Sequence, residues 1–354
     1  MKALILLGGR GTRLRPFTDS TPKPLLPVVH QPLIAYQLDL LRSQGVKDVV
    51  FCTSYKASLF KSLLGYKGMR LSFSHESPPL GTGGAVRKAL PLIQDTVLVL
   101  NGDLLHAVDA AAFLKSHKRS KADLSIALTR VKDPTQYGLV ETDPSGRIRR
   151  FLEKPSWDEV TCNTVNAGAY LFEPSVIHRI PPGAPCSLER ELFPRLLEEK
   201  FLLNGFVIRG YWIDIGTVDK YLQAHLDILA GAAGLHLNGA FRPARPGRAF
   251  LLGPGASLGR DVIHEGRGRV ALGRGTTVGP FARFRGSVSV GEGCAIGRGA
   301  VLEDCAVLGG TRVGEGARLQ GCVIGRRCRL GAHAVVGPGR ALGDGSSVQR
   351  FSQL

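Results

Sequence analysis

Ala3-Leu4-Ile5-Leu6-Leu7-Gly8-Gly9-Arg10-Gly11-Thr12-Arg13-Leu14 opens the chain and decides its fold class. The apolar run 3–7 reads as a buried first strand. The glycine-rich turn directly after it lets backbone N–H groups approach phosphates closely. Pro22-Lys23-Pro24 follows, so Arg13 and Lys23 set two fixed positive charges beside that turn. Two common phosphate motifs are excluded. A Walker A loop ends in Gly-Lys-Ser/Thr, and here Gly11 precedes Thr12-Arg13. A dinucleotide fingerprint needs a third glycine, and Leu14 occupies that position.

Outward from this turn, short apolar runs alternate with helical patterns as far as about residue 230. Runs 47–53, 96–100, 123–128 and 166–172 predict strands, and 32–44, 83–92 and 217–229 predict helices. Such alternation predicts an α/β fold, a Rossmann-like, mostly parallel sheet covered on both faces. Ligands of such sheets bind at the carboxyl ends of strands. The Gly8–Arg13 turn and Asp103 both lie just beyond apolar strands, so they are expected at one sheet edge.

The C-terminal region has a different texture: 24 of the 45 glycines lie after residue 250. An apolar residue recurs every six positions at Leu272, Val278, Phe284, Val290, Ile296, Leu302 and Leu308. After a five-residue step it resumes at Val313 and Leu319, and after another at Ile324, Leu330, Val336, Leu342 and Val348. Period six suits a parallel β-helix with three six-residue sides per coil, each pointing one aliphatic residue inward. The expected organisation is a nucleotide-binding domain over 1–232, a linker over 233–250 and the β-helix over 251–354. The stack leaves sheet edges at its ends, so a homo-oligomer formed through the β-helix is expected.

Composition removes several classes. The formal net charge of +17 invites a nucleic-acid reading, but the cations are scattered and aromatics make up only 7%, so no stacking platform stands out. A positive field suits anionic small substrates. Seven cysteines, with no C-x-x-C pair, predict neither a disulfide framework nor a zinc site. No apolar run is long enough to span a membrane, and Met1-Lys2 leads directly into a strand, so a cytoplasmic location is expected.

The segments Gly8-Gly9-Arg10-Gly11-Thr12-Arg13-Leu14-Arg15-Pro16-Phe17-Thr18 and Lys23-Pro24-Leu25-Leu26-Pro27 resemble the signature of the sugar-phosphate nucleotidyltransferases, G-G-x-G-T-R-L-x-P-x-T followed by K-P-x-x-P. Together with the hexapeptide repeat, the chain resembles the mannose-1-phosphate guanylyltransferase branch, whose C-terminal domain is a left-handed β-helix. The resemblance implies a reaction that joins a sugar 1-phosphate to a nucleoside triphosphate and releases pyrophosphate. Arg13 suits a triphosphate clamp because its planar fork pairs phosphate oxygens. Lys23 is a compact charge suited to the α-phosphate, and both are expected to be catalytic. Asn101-Gly102-Asp103 and Trp212-Ile213-Asp214 each end in a carboxylate. Asp103 and Asp214 are the implied Mg²⁺ ligands, in keeping with the few protein ligands Mg²⁺ takes. The alternative for Asp214 is a helix N-cap.

The nucleotide would meet Leu7, Gly8, Gly9, Gly11, Thr12, Glu76, Gly81, Thr82 and Asn101. Residues 76–85 resemble the family's base loop, with Gly83 where alanine is usual, a change expected to widen the pocket. Leu7 likewise stands where alanine is usual. Glu76 favours GTP, because guanine presents two adjacent donors and a carboxylate only accepts. Relatives that use thymine or uracil tend to place glutamine there. The sugar phosphate would meet Tyr137, Gly138, Glu153, Lys154 and Asn166. The ammonium suits the phosphate and the carboxylate suits hydroxyls.

Other assignments are a heptose-1-phosphate guanylyltransferase, which Ser187-Leu188-Glu189 and the paired glycines of the base loop also resemble, or a glucose-1-phosphate thymidylyl- or uridylyltransferase. A non-catalytic sensor of nucleotide-sugars is a different class. The presence of Arg13, Lys23, Asp103, Lys154 and Asp214 argues against it. Acyl transfer by the β-helix would need a base such as His264 or His333, and the repeats carry no long inserted loop to hold an acyl donor.

Overall fold

The computed structural model describes residues 1–9, 11–54, 56–66, 68–231 and 249–354, and the backbone of 242–243. Arg10 and most of the expected linker lie outside the described residues. Two compact units emerge: Met1–Arg10 with Gln37–Trp212, and Gly11–Tyr36 with Ile213–Leu354.

The first unit is built on one nine-stranded sheet. Its parallel half runs Val97–Asn101, Lys2–Leu6, Asp48–Thr53, Arg70–His75. Val, Leu and Ile fill Val97–Asn101 and Lys2–Leu6, whose two faces are covered, whereas the edge strand Arg70–His75 is largely open to solvent. Leu4, Val50, Val97 and Val99 join one core with Val86 and Ala89 of the helix Gly81–Ala89. Thr164–Phe172 then runs antiparallel to Val97–Asn101 and to Leu124–Arg130. Gly138–Thr142 and Ile148–Glu153 extend that side as an antiparallel pair, while Leu203–Val207 runs parallel to Leu124–Arg130, in keeping with the expected Rossmann-like, mostly parallel sheet. Val97–Asn101 turns at Gly102-Asp103 directly into Leu104–His106.

In the second unit a coiled ribbon builds three stacks of parallel strands, consistent with a left-handed β-helix. Val290 pairs with Val307 and Val307 with Ile324, while Ile296 pairs with Val313. The inward position on the strand Ala306–Val307 is therefore Val307, not the expected Leu308. Both are buried, which is why spacing alone misplaces the five-residue step. The corners need glycine where coils touch. A Cβ on Gly291 would sit 2.4 Å from the backbone nitrogen of Gly309.

Conformation and burial make two predictions. Exposed Lys121 ends the helix Ala110–Ser120 with φ +50°, a left-handed position that glycine takes without strain. Lys121→Gly is expected to raise stability by about 1 kcal/mol, read by urea titration. His106 and His225 are buried, and each accepts a backbone N–H at Nδ1, from Val108 and Val29 respectively. Burial holds their pKa values at about 4 and about 3, below the ordinary 6.5. The unfolded chain then takes up these protons at a pH where the native one does not. Stability is expected to fall from pH 6.5 towards 4 by about 1.4 kcal/mol per pH unit for each histidine. Calorimetry across that range, with His106→Gln and His225→Gln flattening the slope, checks it.

Candidate active site

In the first unit, the turn after Lys2–Leu6 and the turn after Val97–Asn101 pack together. Gly102 donates its N–H to Leu6 O at 3.0 Å. Leu7 is buried, and its Cδ2 would lie 2.3 Å from a Cβ on Gly102. The unusual leucine therefore fills the space over a glycine. Gln37 Nε2 donates to both Asn101 O and Leu104 O, at 2.9 and 2.7 Å. It pins the turn that carries Asp103, a role no motif announced. A Cβ on Gly8 would stand 3.8 Å from Ser54 Cβ, and among the described residues nothing lies within 4 Å of a Cβ on Gly9.

Glu76 is buried, and its Oε2 accepts Leu80 N–H at 2.8 Å, closing the segment 76–80 on itself. Burial pushes its pKa above the ordinary carboxylate value. Gly81 (φ +73°) starts the following helix, where a Cβ would meet Cys186 O at 2.7 Å. A methyl on Gly83 would stand 3.0 Å from Cys186 Sγ. Cys186 therefore fills the space expected to widen the pocket, and glycine here serves packing.

Glu189 lies at the centre of a network. Its two oxygens accept Thr82 Oγ1–H at 3.0 Å and Tyr170 O–H at 3.1 Å. Asn166 Nδ2 donates to Tyr170 at 2.9 Å, while Asn166 Oδ1 accepts Gly168 N–H at 2.9 Å. Thr82 and Asn166, placed by sequence on the nucleotide and the sugar, are thus tied through one carboxylate. Glu189 sits on a π-helical turn, Leu188–Leu192, a form frequent at functional sites. Ser187-Leu188-Glu189 drew notice in the sequence, but nothing there assigned Glu189 a role.

Gly138 pairs with Glu153, and a Cβ on Gly138 would meet Phe151 at 2.7 Å and Glu153 Oε2 at 3.0 Å. Burial, then the Glu189 carboxylate, raise the Glu153 pKa. Lys154 follows with φ +52° and its N–H bonded to Tyr137 O, which leaves its side chain exposed. The Tyr137 ring meets Trp212 edge-on at 5.3 Å, and Trp212 Nε1 donates to Ala167 O at 3.0 Å. Tyr137, Gly138, Glu153, Lys154 and Asn166 therefore share one neighbourhood.

The second unit gathers the cations. Gly11 (φ +62°) leads into the 3-10 turn Thr12–Leu14, and Thr18 Oγ1 caps Gly11 O at 2.9 Å. A Cβ on Gly11 would stand 3.2 Å from those of Lys23 and of Thr18's methyl group, so the loop closes tightly. Leu14 is buried, while Thr12 and Arg13 face outward. Lys23 is only 5% exposed, and its Nζ stands 3.4 Å from Asp214 Oδ1. A Cβ on Gly216 would lie 3.3 Å from both Arg13 Nη2 and Asp214 Oδ2. The guanidinium and one carboxylate oxygen thus flank Gly216, while the ammonium meets the other carboxylate oxygen. The N-cap of the helix Val218–Ala230 is Thr217, which leaves Asp214 clear of the capping role.

Asp103 and Asp214 offer hard carboxylate oxygens, the donor type Mg²⁺ takes with few protein ligands. Asp103 belongs to the first unit and Asp214 to the second, and among the described residues no group of three or more His, Cys, Asp or Glu could hold a metal. The Asp214 side chain is partly exposed beside Lys23, which fits a metal ligand.

Residues 2–231 match the family model described as Nucleotidyl transferase, and 267–351 match that of the GMPPB C-terminal domain. The chain is 37% identical over 323 residues to the mannose-1-phosphate guanylyltransferase of Mycobacterium tuberculosis, covering 90% of this chain and 82% of the relative. It is 32% identical to the UTP–glucose-1-phosphate uridylyltransferase of Synechocystis, covering 93% and 88%. The crystal structure of HddC from Yersinia pseudotuberculosis complexed with GMP-PN is 29% identical with a TM-score of 0.56, covering 64% of this chain and 99% of HddC.

Proposed function

The chain belongs to the nucleotidyl transferase family, and from that premise we propose that it is a mannose-1-phosphate guanylyltransferase, making GDP-mannose and pyrophosphate from GTP and mannose 1-phosphate. A phosphate oxygen of the sugar phosphate attacks the α-phosphorus of GTP in line, and the bond to the β-phosphate oxygen breaks. Charge builds on the α-phosphate oxygens and on the departing pyrophosphate, so catalysis is mainly positioning and electrostatic stabilisation. The observation that supports the reading is Asp214, with Lys23 Nζ 3.4 Å from its Oδ1 and with its Oδ2 and Arg13 Nη2 each 3.3 Å from a Cβ position on Gly216.

Arg13 clamps the triphosphate, and Lys23 neutralises the α-phosphate. Glu153 accepts sugar hydroxyls while Lys154 holds the sugar phosphate. Leu7, Gly8, Gly9, Gly11, Thr12, Gly81, Thr82 and Asn101 line the nucleotide, Glu76 reads its base, and Tyr137, Gly138 and Asn166 line the sugar. Asp103 and Asp214 would hold Mg²⁺, which when bound supplies further neutralisation of the phosphates. The domain boundaries at 232 and 251 follow the change in sequence texture. All seven cysteines are free thiols, which supports a reducing, cytoplasmic setting. The last strands of the β-helix, Ala341–Leu342 and Ser347–Val348, end their stacks, and a stack that ends this way suits a second copy.

A panel of four nucleoside triphosphates against several sugar 1-phosphates, with Mg²⁺ and pyrophosphate as readout, tests the substrates. GTP with mannose 1-phosphate should give the highest kcat/KM. A clear preference for UTP with glucose 1-phosphate would reassign them. Glu76→Gln removes an all-acceptor group opposite guanine. It is expected to lower kcat/KM for GTP by about 10- to 100-fold and to narrow the margin over UTP.

A further inference from the structure

Thr21 and Ser20, two and three residues before Lys23, are held from the β-helix. Arg326 Nη1 donates to Thr21 Oγ1 at 2.9 Å. Ser20 Oγ donates to Asp344 Oδ2 at 3.3 Å, and the other oxygen of Asp344 accepts the Arg326 N–H at 2.8 Å. Arg326 and Asp344 follow the equivalent glycines Gly325 and Gly343 on successive coils, where Gly325 N–H bonds to Leu342 O. A Cβ on Gly343 would stand 3.0 Å from that of Pro16, so the coil and the loop touch without a side chain between them. Arg326 is half-buried, whereas its neighbours Arg327 and Arg329 are exposed. On the same loop, Phe17 packs its ring 5.8 Å from that of buried Tyr221. The segment running from Arg13 to Lys23 is therefore fixed at Pro16, Phe17, Ser20 and Thr21.

We propose that Arg326 and Asp344 are positioning residues for nucleotidyl transfer: through Thr21 and Ser20, two coils of the β-helix set the loop that aims Arg13 and Lys23. The β-helix then has a part in catalysis as well as offering a surface for a second copy. The physical reason is geometric. A point charge stabilises a transition state only when held in place, and a displacement of about 1 Å can cost about 100-fold. The inference rests on the guanylyltransferase reading for its kinetic readout and stands apart from it for its structural one.

The test uses the full chain with Arg326→Ala, Arg326→Lys, Thr21→Val and the double variant Arg326→Ala/Thr21→Val. Thermal transitions establish that each is folded. With GTP and mannose 1-phosphate, Arg326→Ala and Thr21→Val are each expected to lower kcat by about 10- to 100-fold, with KM for the sugar phosphate unchanged. The double variant should lose no more than either single one, because both cut the same link. Arg326→Lys should recover part of the rate. Independently of any substrate, hydrogen exchange at the amides of Leu14, Arg15 and Leu26 should quicken in Arg326→Ala. Wild-type kcat in folded Arg326→Ala, or losses that multiply in the double variant, would overturn the proposal. If the wild type gives no pyrophosphate from these substrates, the substrate reading fails and exchange alone decides: unchanged protection of those amides also overturns it.

Discussion

Lys23→Met is expected to lower kcat by about 100- to 1,000-fold while leaving the fold intact. Lys23 is one of few lysines withdrawn from solvent, at 5% exposure, with its ammonium 3.4 Å from Asp214. A charge held that way costs no reorganisation when the α-phosphate gains charge, which makes it worth more than a mobile surface lysine. Methionine keeps the stem and its packing. The carboxylate left behind keeps contact with water, since the Asp214 side chain is 19% exposed, so unfolding is not the expected result. Steady-state kcat at saturating GTP, with a thermal transition as control, decides the matter. A rate within about threefold of wild type would remove Lys23 from the transition state. Lys23→Arg is no gentle substitute: the residue is buried beside Asp214, and a longer, planar guanidinium does not put a single point charge where the ammonium stands.

The largest effect on stability is expected from Gly291→Val. The added Cβ would stand 2.4 Å from Gly309 N and 2.8 Å from Gly309 Cα. Both are backbone atoms of the next coil, so no rotamer relieves the clash. Relief requires separating the coils, which breaks Gly291 N–H to Val307 O and Gly310 N–H to Glu292 O and opens the core around Val290 and Val307. A cost of about 4 kcal/mol or more is expected, in the exceptional class for one substitution. The β-helix unit should melt early. Thermal unfolding followed by circular dichroism reads this, and an unshifted transition would mean that the stack tolerates a wider rise. Gly293→Val is the control, since nothing lies within 4 Å of a Cβ there. Its φ of +62° adds about 1–2 kcal/mol of backbone strain without a clash.

Much of the chemistry was legible before any fold. A glycine turn with Arg13 and Lys23 is local, and local chemistry is written in consecutive residues. The helices expected at 32–44 and 217–229 appear as Leu33–Ser43 and Val218–Ala230, within two residues. The six-residue period placed nearly every inward side chain of the β-helix, because each coil repeats the same environment. Where two neighbours are both buried, as Val307 and Leu308 are, periodicity cannot tell which one faces the axis.

Residues that act across long separations were not legible. Glu189 joins Thr82 to Tyr170, Gln37 clasps the Asp103 turn, and Arg326 reaches Thr21 across 305 positions. Each is a common polar residue in an ordinary stretch, and its importance lies only in what the chain brings beside it. Sequence by itself determined the class of chemistry and the repeat, since both depend on residue type and spacing. Only the tertiary structure decided which carboxylate meets which hydroxyl and which coils meet Ser20 and Thr21. Those choices depend on distances through space, which register and coil length set and composition does not.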